Sequence, residues 1–135
     1  WVVALGLLAV LPFGAILGSV LDTRTAFLLT MPLMGLIAIS GIFYPITALP
    51  GWLQAVGQSF PMYWLGLGMR SALLPEDAVA IEINESWRHV ETAAVLGGWA
   101  VVGLLIAPVV LRRMARHESG SNMAARREKA LQRAF

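Results

Sequence analysis

Long apolar stretches separated by short polar segments dominate the pattern along the chain. Residues 1–21 carry no charge and are followed by a short polar loop around Asp22 and Arg24, after which the next charge is Arg70. A helix needs about 20 apolar residues to cross the hydrocarbon core of a bilayer, which is about 30 Å thick. The pattern therefore predicts one membrane span at about 1–21 and a second at about 26–44.

Prolines divide the remainder of this uncharged stretch. Pro50 and Pro61 punctuate it and leave two short segments, 51–60 and 62–74. Helices of this length are too short to cross a bilayer and are typical of re-entrant or interfacial segments. We therefore predict an external helical hairpin at about 50–74, which dips into the outer leaflet.

Three aromatic residues of the hairpin, Trp52, Tyr63 and Trp64, suggest where it lies. Amphipathic aromatic rings are enriched at the boundary between bilayer and water. We expect these three rings to lie at the outer boundary.

The chain after the hairpin alternates once more between polar and apolar. Residues 75–91 carry five carboxylates and a single basic residue, Arg88, which predicts an acidic loop. Residues 92–111 are uncharged and form the third predicted span. The basic segment 113–135 follows as a tail. A break is expected at 118–122, with a short helix over 123–135 that either lies on anionic lipid or is a frayed, solvated end.

Composition supports a membrane protein and fixes its orientation. Hydrophobic residues make up 58% of the chain and charged residues 13%, against about 45–50% and about 25% in soluble domains. Seven of the ten basic residues lie from Arg112 onward, directly after an apolar span. This placement indicates a cytoplasmic tail and an external acidic loop rather than a nucleic-acid surface. The same topology starts the first span outside, so we expect the C-terminal part of a longer protein.

The sequence offers little that is typical of an enzyme. It has no cysteine and no phosphate-binding loop of the GxxxxGK[ST] type. The predicted topology places His89 and His117 on opposite sides of the membrane, so they do not share a metal. We therefore expect no catalytic, cofactor-binding or metal-binding residue, and any ATP hydrolysis to reside on a separate subunit.

Arg70 is the most informative single residue, because a charge near the membrane interior is costly unless it faces a cavity or a partner. One interpretation is that the side chain extends to the external boundary. Another is that it orients the hairpin or pairs with Glu76.

Residues 33–70 resemble the motif of the ABC-2 type transport permeases, the membrane subunits of a class of ABC exporters. The spacing fits throughout, including the ten residues between Pro50 and Pro61. One position departs, since Trp64 stands where the family usually has histidine, arginine, serine or tyrosine. The residues that carry the resemblance are Leu33, Leu36, Ile39, Ser40, Ile42, Leu49, Pro50, Pro61, Met62, Trp64 and Arg70.

The resemblance implies an all-α membrane protein whose three spans and external hairpin are the last three spans of a six-span permease. It implies two permease subunits, identical or different, docked on cytoplasmic ATP-binding cassette subunits. It also implies export of a drug, a lipid or a polysaccharide-type substrate. The motif residues that we expect to matter for gating are Ser40, Pro50, Pro61, Trp64 and Arg70.

Two further expectations concern function. Substrate would meet apolar span faces, and the hairpin would act as an external gate. A crosslink from Gln54 or Gln58 to the partner subunit is therefore expected to affect export. The alternative is a three-span scaffold or assembly subunit that transports nothing itself. The residues expected on the substrate-facing surfaces are Phe13, Phe27, Met31, Met34 and Phe43.

Overall fold

The computed structural model describes residues 1–133, and this part of the chain is helical, with no strand. Short 3₁₀ turns at Ile46–Ala48, Glu76–Ile81 and Ile83–Glu85 connect the helices. The all-α class expected from the sequence is confirmed. The five α-helices are α1 (Val2–Val20), α2 (Thr23–Ala38), α3 (Gly51–Ser59), α4 (Pro61–Leu73) and α5 (His89–Arg133).

Helices α1 and α5 form the centre of the fold and are the two that are long and apolar enough to cross a bilayer, over Val2–Val20 and His89–His117. They run in the same direction. Trp1 and His89 meet edge to face at one end, with ring centroids 6.2 Å apart, and Phe13 meets Trp99 farther along at 5.0 Å. Two membrane helices run parallel in this way when an odd number of spans lies between them in the chain.

Gly103 allows the backbones of α1 and α5 to approach. A Cβ atom at this position would lie 2.9 Å from Phe13 and 3.0 Å from Pro12. Small residues permit such close helix packing in membranes, where dispersion contacts replace the hydrophobic effect. The proline in α1 therefore lies in the helix contact, and α1 continues through it without interruption.

Helix α4 packs against both α1 and α5 and runs antiparallel to α1. A Cβ on Gly68 would lie 2.6 Å from Val2, and Gly6 faces Leu65 one turn farther along. The ring and aliphatic side chains of α4 complete the buried core with residues of α1 and α5. The core cluster consists of Ala9, Ile46, Tyr63, Trp64, Leu67, Leu96 and Ala100.

Helix α2 differs from the second span predicted at about 26–44. It begins with Asp22, whose side chain accepts a hydrogen bond from the Thr25 N–H, and the hydrogen bonds from Thr25 lower the pKa of this carboxyl. It ends at Ala38, because Gly41 adopts a left-handed conformation with φ of +76° and turns the chain. Apolarity continues to Tyr44, but the helix does not. At 16 residues, or about 24 Å, α2 is shorter than α1.

The outer surface of α2 is largely unoccupied within the described part of the chain. None of its residues is buried. Gly14 and Gly18 of α1 have the spacing of a helix-packing motif, yet a Cβ on either would meet nothing within 4 Å. Within the described residues, these surfaces of α1 and α2 therefore remain open.

Helices α3 and α4 match the predicted hairpin segments 51–60 and 62–74 to within one residue at each end. The tail differs. The break expected at 118–122 is absent from the backbone, and α5 continues as one helix from His89 to Arg133. The last two residues of the predicted tail helix, including Phe135, lie outside the described residues.

Candidate functional site: the hairpin and its polar anchors

The hairpin, which we define as α3 and α4, depends on two prolines. The Pro50 carbonyl accepts hydrogen bonds from Leu53 N–H at 2.9 Å and from Gln54 N–H at 3.1 Å, which starts α3. Pro61 is the first residue of α4, where its missing N–H costs nothing and its fixed φ suits a helix start. Pro50 therefore marks the start of α3, and Pro61 marks the bend between α3 and α4.

The tip of the hairpin is held about halfway along α1 and the apolar part of α5. The Ser59 carbonyl accepts a hydrogen bond from Trp99 Nε1 at 3.1 Å, and Phe60 stacks on the same indole with centroids 6.0 Å apart. Trp99 also contacts Phe13. Aromatic pairs of this kind contribute about 0.5–1.5 kcal/mol each beyond burial, so this cluster anchors the tip to both long helices.

Trp64 is buried in the protein core. Its indole is 3% exposed and its Nε1 donates to the Gln58 carbonyl at 2.6 Å, while Arg88 lies 4.7 Å above the ring. Tyr63 is fully buried as well. Of the three aromatic residues predicted at the boundary, only Trp52 is exposed, at 68%.

Arg70 connects three separate segments of the chain. Its Nε donates to Glu82 Oε1 at 2.7 Å, and its Nη1 donates to the Gly41 carbonyl at 3.1 Å. The guanidinium lies back over Gly66, one turn toward the hairpin tip. The carboxylate partner of Arg70 is therefore Glu82 rather than Glu76. The carbonyl that it binds is one freed where α2 ends.

Ser40 lies next to this carbonyl and is almost fully buried. Its hydroxyl donates to the Ile37 carbonyl at 2.6 Å, which satisfies a second group at the end of α2. A Cβ on Gly57 of α3 would lie 2.7 Å from the Ile39 carbonyl oxygen. The end of α2 is thus packed directly against the hairpin.

Three buried polar atoms have no hydrogen-bond partner among the described residues: Tyr63 Oη, Glu82 Oε2 and Thr92 Oγ1. Burial raises the pKa of Tyr63, and the Glu82 carboxylate raises it further, while Arg88 and Arg70 lower it. The charged groups that act on this phenol are therefore Glu82, Arg70 and Arg88. Tyr63, Glu82, Arg70 and Arg88 together form a polar cluster beneath the acidic loop.

The glutamines expected to face a partner subunit are engaged within the chain. Gln58 Oε1 accepts from Arg88 at 2.8 Å, and Gln54 Nε2 donates to the Leu49 carbonyl at 2.8 Å. Exposed positions on α3, such as Val56, are better choices for crosslinking.

Four of the five residues expected to meet substrate are exposed: Phe27, Met31, Met34 and Phe43. Phe13 is partly buried against Trp99. A groove between α1 and α2 ends at Phe60 of the hairpin tip. The residues that line this part of the groove are Leu17, Leu29, Pro32, Leu33, Leu36 and Phe60.

Sequence reasoning did not identify Glu82, Arg88 or Trp99 as parts of the site. Each is distant in sequence from its partner, at separations of 12, 30 and 40 residues for the hydrogen bonds to Arg70, Gln58 and Ser59. Trp99 carried one usable signal, since an indole N–H in the middle of an apolar span needs a hydrogen-bond partner.

Comparisons with curated proteins and with solved structures gave no match. The family model described as ABC-2 family transporter protein matches residues 1–109, which include α1 to α4 and most of the apolar part of α5. The match covers well over half of the chain and confirms the resemblance carried by residues 33–70. The chain therefore belongs to the ABC-2 transporter family, and it is a membrane component of a transport system.

Proposed function

We propose that the chain is part of the permease subunit of an ATP-driven exporter that moves a drug, lipid or polysaccharide-type substrate outward. The observation that carries this proposal is the family match over a fold in which the hairpin caps the same end of α1 and α5. Family membership implies association with an ATP-binding subunit. A second permease subunit completes the proposed transporter.

The proposed topology has three spans in the inner or plasma membrane, with the hairpin and acidic loop outside and the C-terminus in the cytoplasm. Arg112, Arg113 and Arg116 follow the apolar part of α5 at the end opposite to the hairpin, in agreement with the excess of basic residues on cytoplasmic sides. Helix α2 returns the chain between the parallel helices α1 and α5. Its shortness is compensated by the hairpin, which packs over its end.

The hairpin acts as the external gate in this proposal. Its tip lies beside Phe13, the twelfth of the 19 residues of α1, so it reaches about half of the depth of that span. A re-entrant element at this depth separates the α1–α2 groove from the external side. The exposed side chains of Phe27, Met31 and Met34 offer adaptable apolar contacts to substrate.

The test uses the full-length protein with its ATP-binding subunit in proteoliposomes. We expect co-purification of the two subunits and ATP-dependent movement of a fluorescent lipid or an amphiphilic dye. The double variant Phe27→Ala with Met31→Ala should lower the rate of movement about tenfold, whereas Leu105→Ala, an equally exposed change on α5, should not.

A protein that assembles stably but neither binds an ATP-binding subunit nor supports ATP-dependent movement would instead be the non-transporting scaffold. Equal effects of the α2 and α5 variants would contradict the proposed substrate surface.

A further inference from the structure

Arg70 holds together two segments that the chain itself does not connect closely. One is the end of α2, through the Gly41 carbonyl, and the other is the acidic loop, through Glu82. The Glu82 side chain is 4% exposed and that of Arg70 is 20% exposed, so water screens the pair little. We call this set, Gly41, Arg70 and Glu82, the latch.

The backbone just after Glu82 is strained. Asn84, Glu85 and Arg88 have φ values of 58°, 48° and 46°, in the left-handed region that residues with a side chain rarely adopt. Such conformations persist only where the surrounding contacts impose them, and they are concentrated in switch regions. The strained segment is fixed at both ends, by Glu82 on Arg70 and by Arg88 on Gln58.

The closed arrangement also leaves hydrogen-bonding capacity unused. Glu82 Oε2 and Tyr63 Oη are buried without a partner among the described residues. Burying a carboxylate is costly, and an ion pair offsets that cost only when the remaining lone pairs are also satisfied. Within the described residues, the latch thus satisfies only one of the two carboxylate oxygens of Glu82.

We propose that the latch is a releasable lock, through which Arg70 makes the end of α2 and the acidic loop move together. When Glu82 leaves Arg70, the loop relaxes out of its left-handed conformations and the Gly41 carbonyl loses its donor. The end of α2 and the hairpin then separate. A role of this motion in export rests on the proposed gate, but the lock itself does not.

The absence of cysteine from residues 1–135 allows a direct test. Ser40→Cys, in the full-length protein freed of other cysteines, places a thiol beside the Gly41 carbonyl at a site that is 1% exposed. Its reaction rate with a membrane-impermeant maleimide, in native membranes, reports opening of the latch. Glu76→Cys, on the exposed part of the loop, reports access of the reagent. A thermal shift of each variant in detergent reports intact folding.

Neutralising the latch should open it. Glu82→Gln keeps the shape of the side chain but loses the charge, and it should raise the labelling rate of Ser40→Cys about tenfold. Arg70→Lys keeps the charge but loses the planar fork that binds two groups, and it should give an intermediate rate. Glu91→Gln is the matched control, because that carboxylate makes a half-exposed pair with Arg88 at 3.6 Å, and it should change the rate less than twofold.

An unchanged labelling rate in both Glu82→Gln and Arg70→Lys, with Glu76→Cys still reactive, would overturn the lock. The same conclusion follows if Glu91→Gln raises the rate as much as Glu82→Gln. If Glu82→Gln fails to fold, the Arg70→Lys measurement decides alone. Labelling needs neither ATP nor substrate, so the two proposals can fail separately. If the protein exports substrate but the latch variants leave the labelling rate of Ser40→Cys unchanged, only the lock is rejected. If the latch variants raise the labelling rate but the protein does not transport, only the proposed function is rejected.

Discussion

Trp64 and Arg88 stack where the hairpin meets the start of α5, and Gln58 serves both of them. Its backbone carbonyl accepts from the indole, and its side-chain oxygen accepts from the guanidinium. The tryptophan is therefore used here as a buried donor that fixes α4 to the end of α3.

Replacing this donor should destabilise the hairpin. Trp64→Phe keeps an aromatic ring but leaves the Gln58 carbonyl without its donor, which should cost about 1–2 kcal/mol. Its apparent melting temperature in detergent, followed by a fluorescence-based thermal shift, should fall by several degrees. Trp52→Phe is the control, because Trp52 is exposed and has no such bond. Equal melting temperatures for the two variants would show that the indole bond contributes nothing.

The sequence predicts some single-residue roles well and others poorly. Pro50 and Pro61 were interpretable because proline acts locally, through its own φ and its missing N–H. For Arg70, the sequence suggested Glu76 as the partner, and the structure shows Glu82 instead. Glu76 lies nearer in sequence, whereas the 3₁₀ turns of the acidic loop bring Glu82 to the guanidinium. Such a long-range pairing depends on the folded loop, which no local pattern encodes.

At the scale of elements, α2 shows that an apolar stretch can extend beyond the end of its helix. The uncharged stretch continues past residue 38, and hydropathy alone extends the span to Tyr44. The helix ends earlier because Gly41 turns left-handed and the hairpin occupies the space beyond it. Conversely, Ser119, Gly120 and Ser121 suggested a break in the tail, yet α5 continues through them, and nothing in the structure explains why these weak helix formers do not end it.

The contact of α1 with α5 gives a prediction about one element pair. Gly103→Ala would put a methyl group against Pro12 and Phe13, and overpacking of this kind costs about 1–3 kcal/mol. Gly98→Ala, on the same helix, meets nothing within 4 Å and should be neutral or slightly stabilising.

Thermal unfolding of both variants in detergent checks this prediction. We expect the melting temperature of Gly103→Ala to fall clearly below that of the parent protein. If Gly98→Ala is the less stable of the two, the parallel packing of α1 on α5 is not as described.

At the scale of the whole molecule, charge is distributed between the two ends of the long helices. The hairpin end carries the acidic loop, with Glu76, Asp77 and Glu85 exposed, and the other end carries the arginines after the apolar part of α5. Together with the parallel course of α1 and α5, this asymmetry accounts for the orientation that the sequence predicts.

Single cysteines test that orientation directly. A membrane-impermeant thiol reagent applied to intact cells should label Glu76→Cys within minutes. His117→Cys, exposed on α5 beyond the apolar segment, should react only after the membrane is permeabilised. The reverse pattern would invert the molecule and place the hairpin in the cytoplasm.

Helix α5 has a mechanical consequence. It is a single rod of 45 residues, about 68 Å long, and Trp99 is attached near one end while the basic segment occupies the other. A rod pivoting where it leaves the apolar zone, near Arg112, works as a lever with arms of about 20 and 30 Å on either side. A sideways push on its far arm would shift the indole, and with it the tip at Ser59 and Phe60, in the opposite direction, provided that the helix stays stiff at Pro108, which lies between the pivot and Trp99.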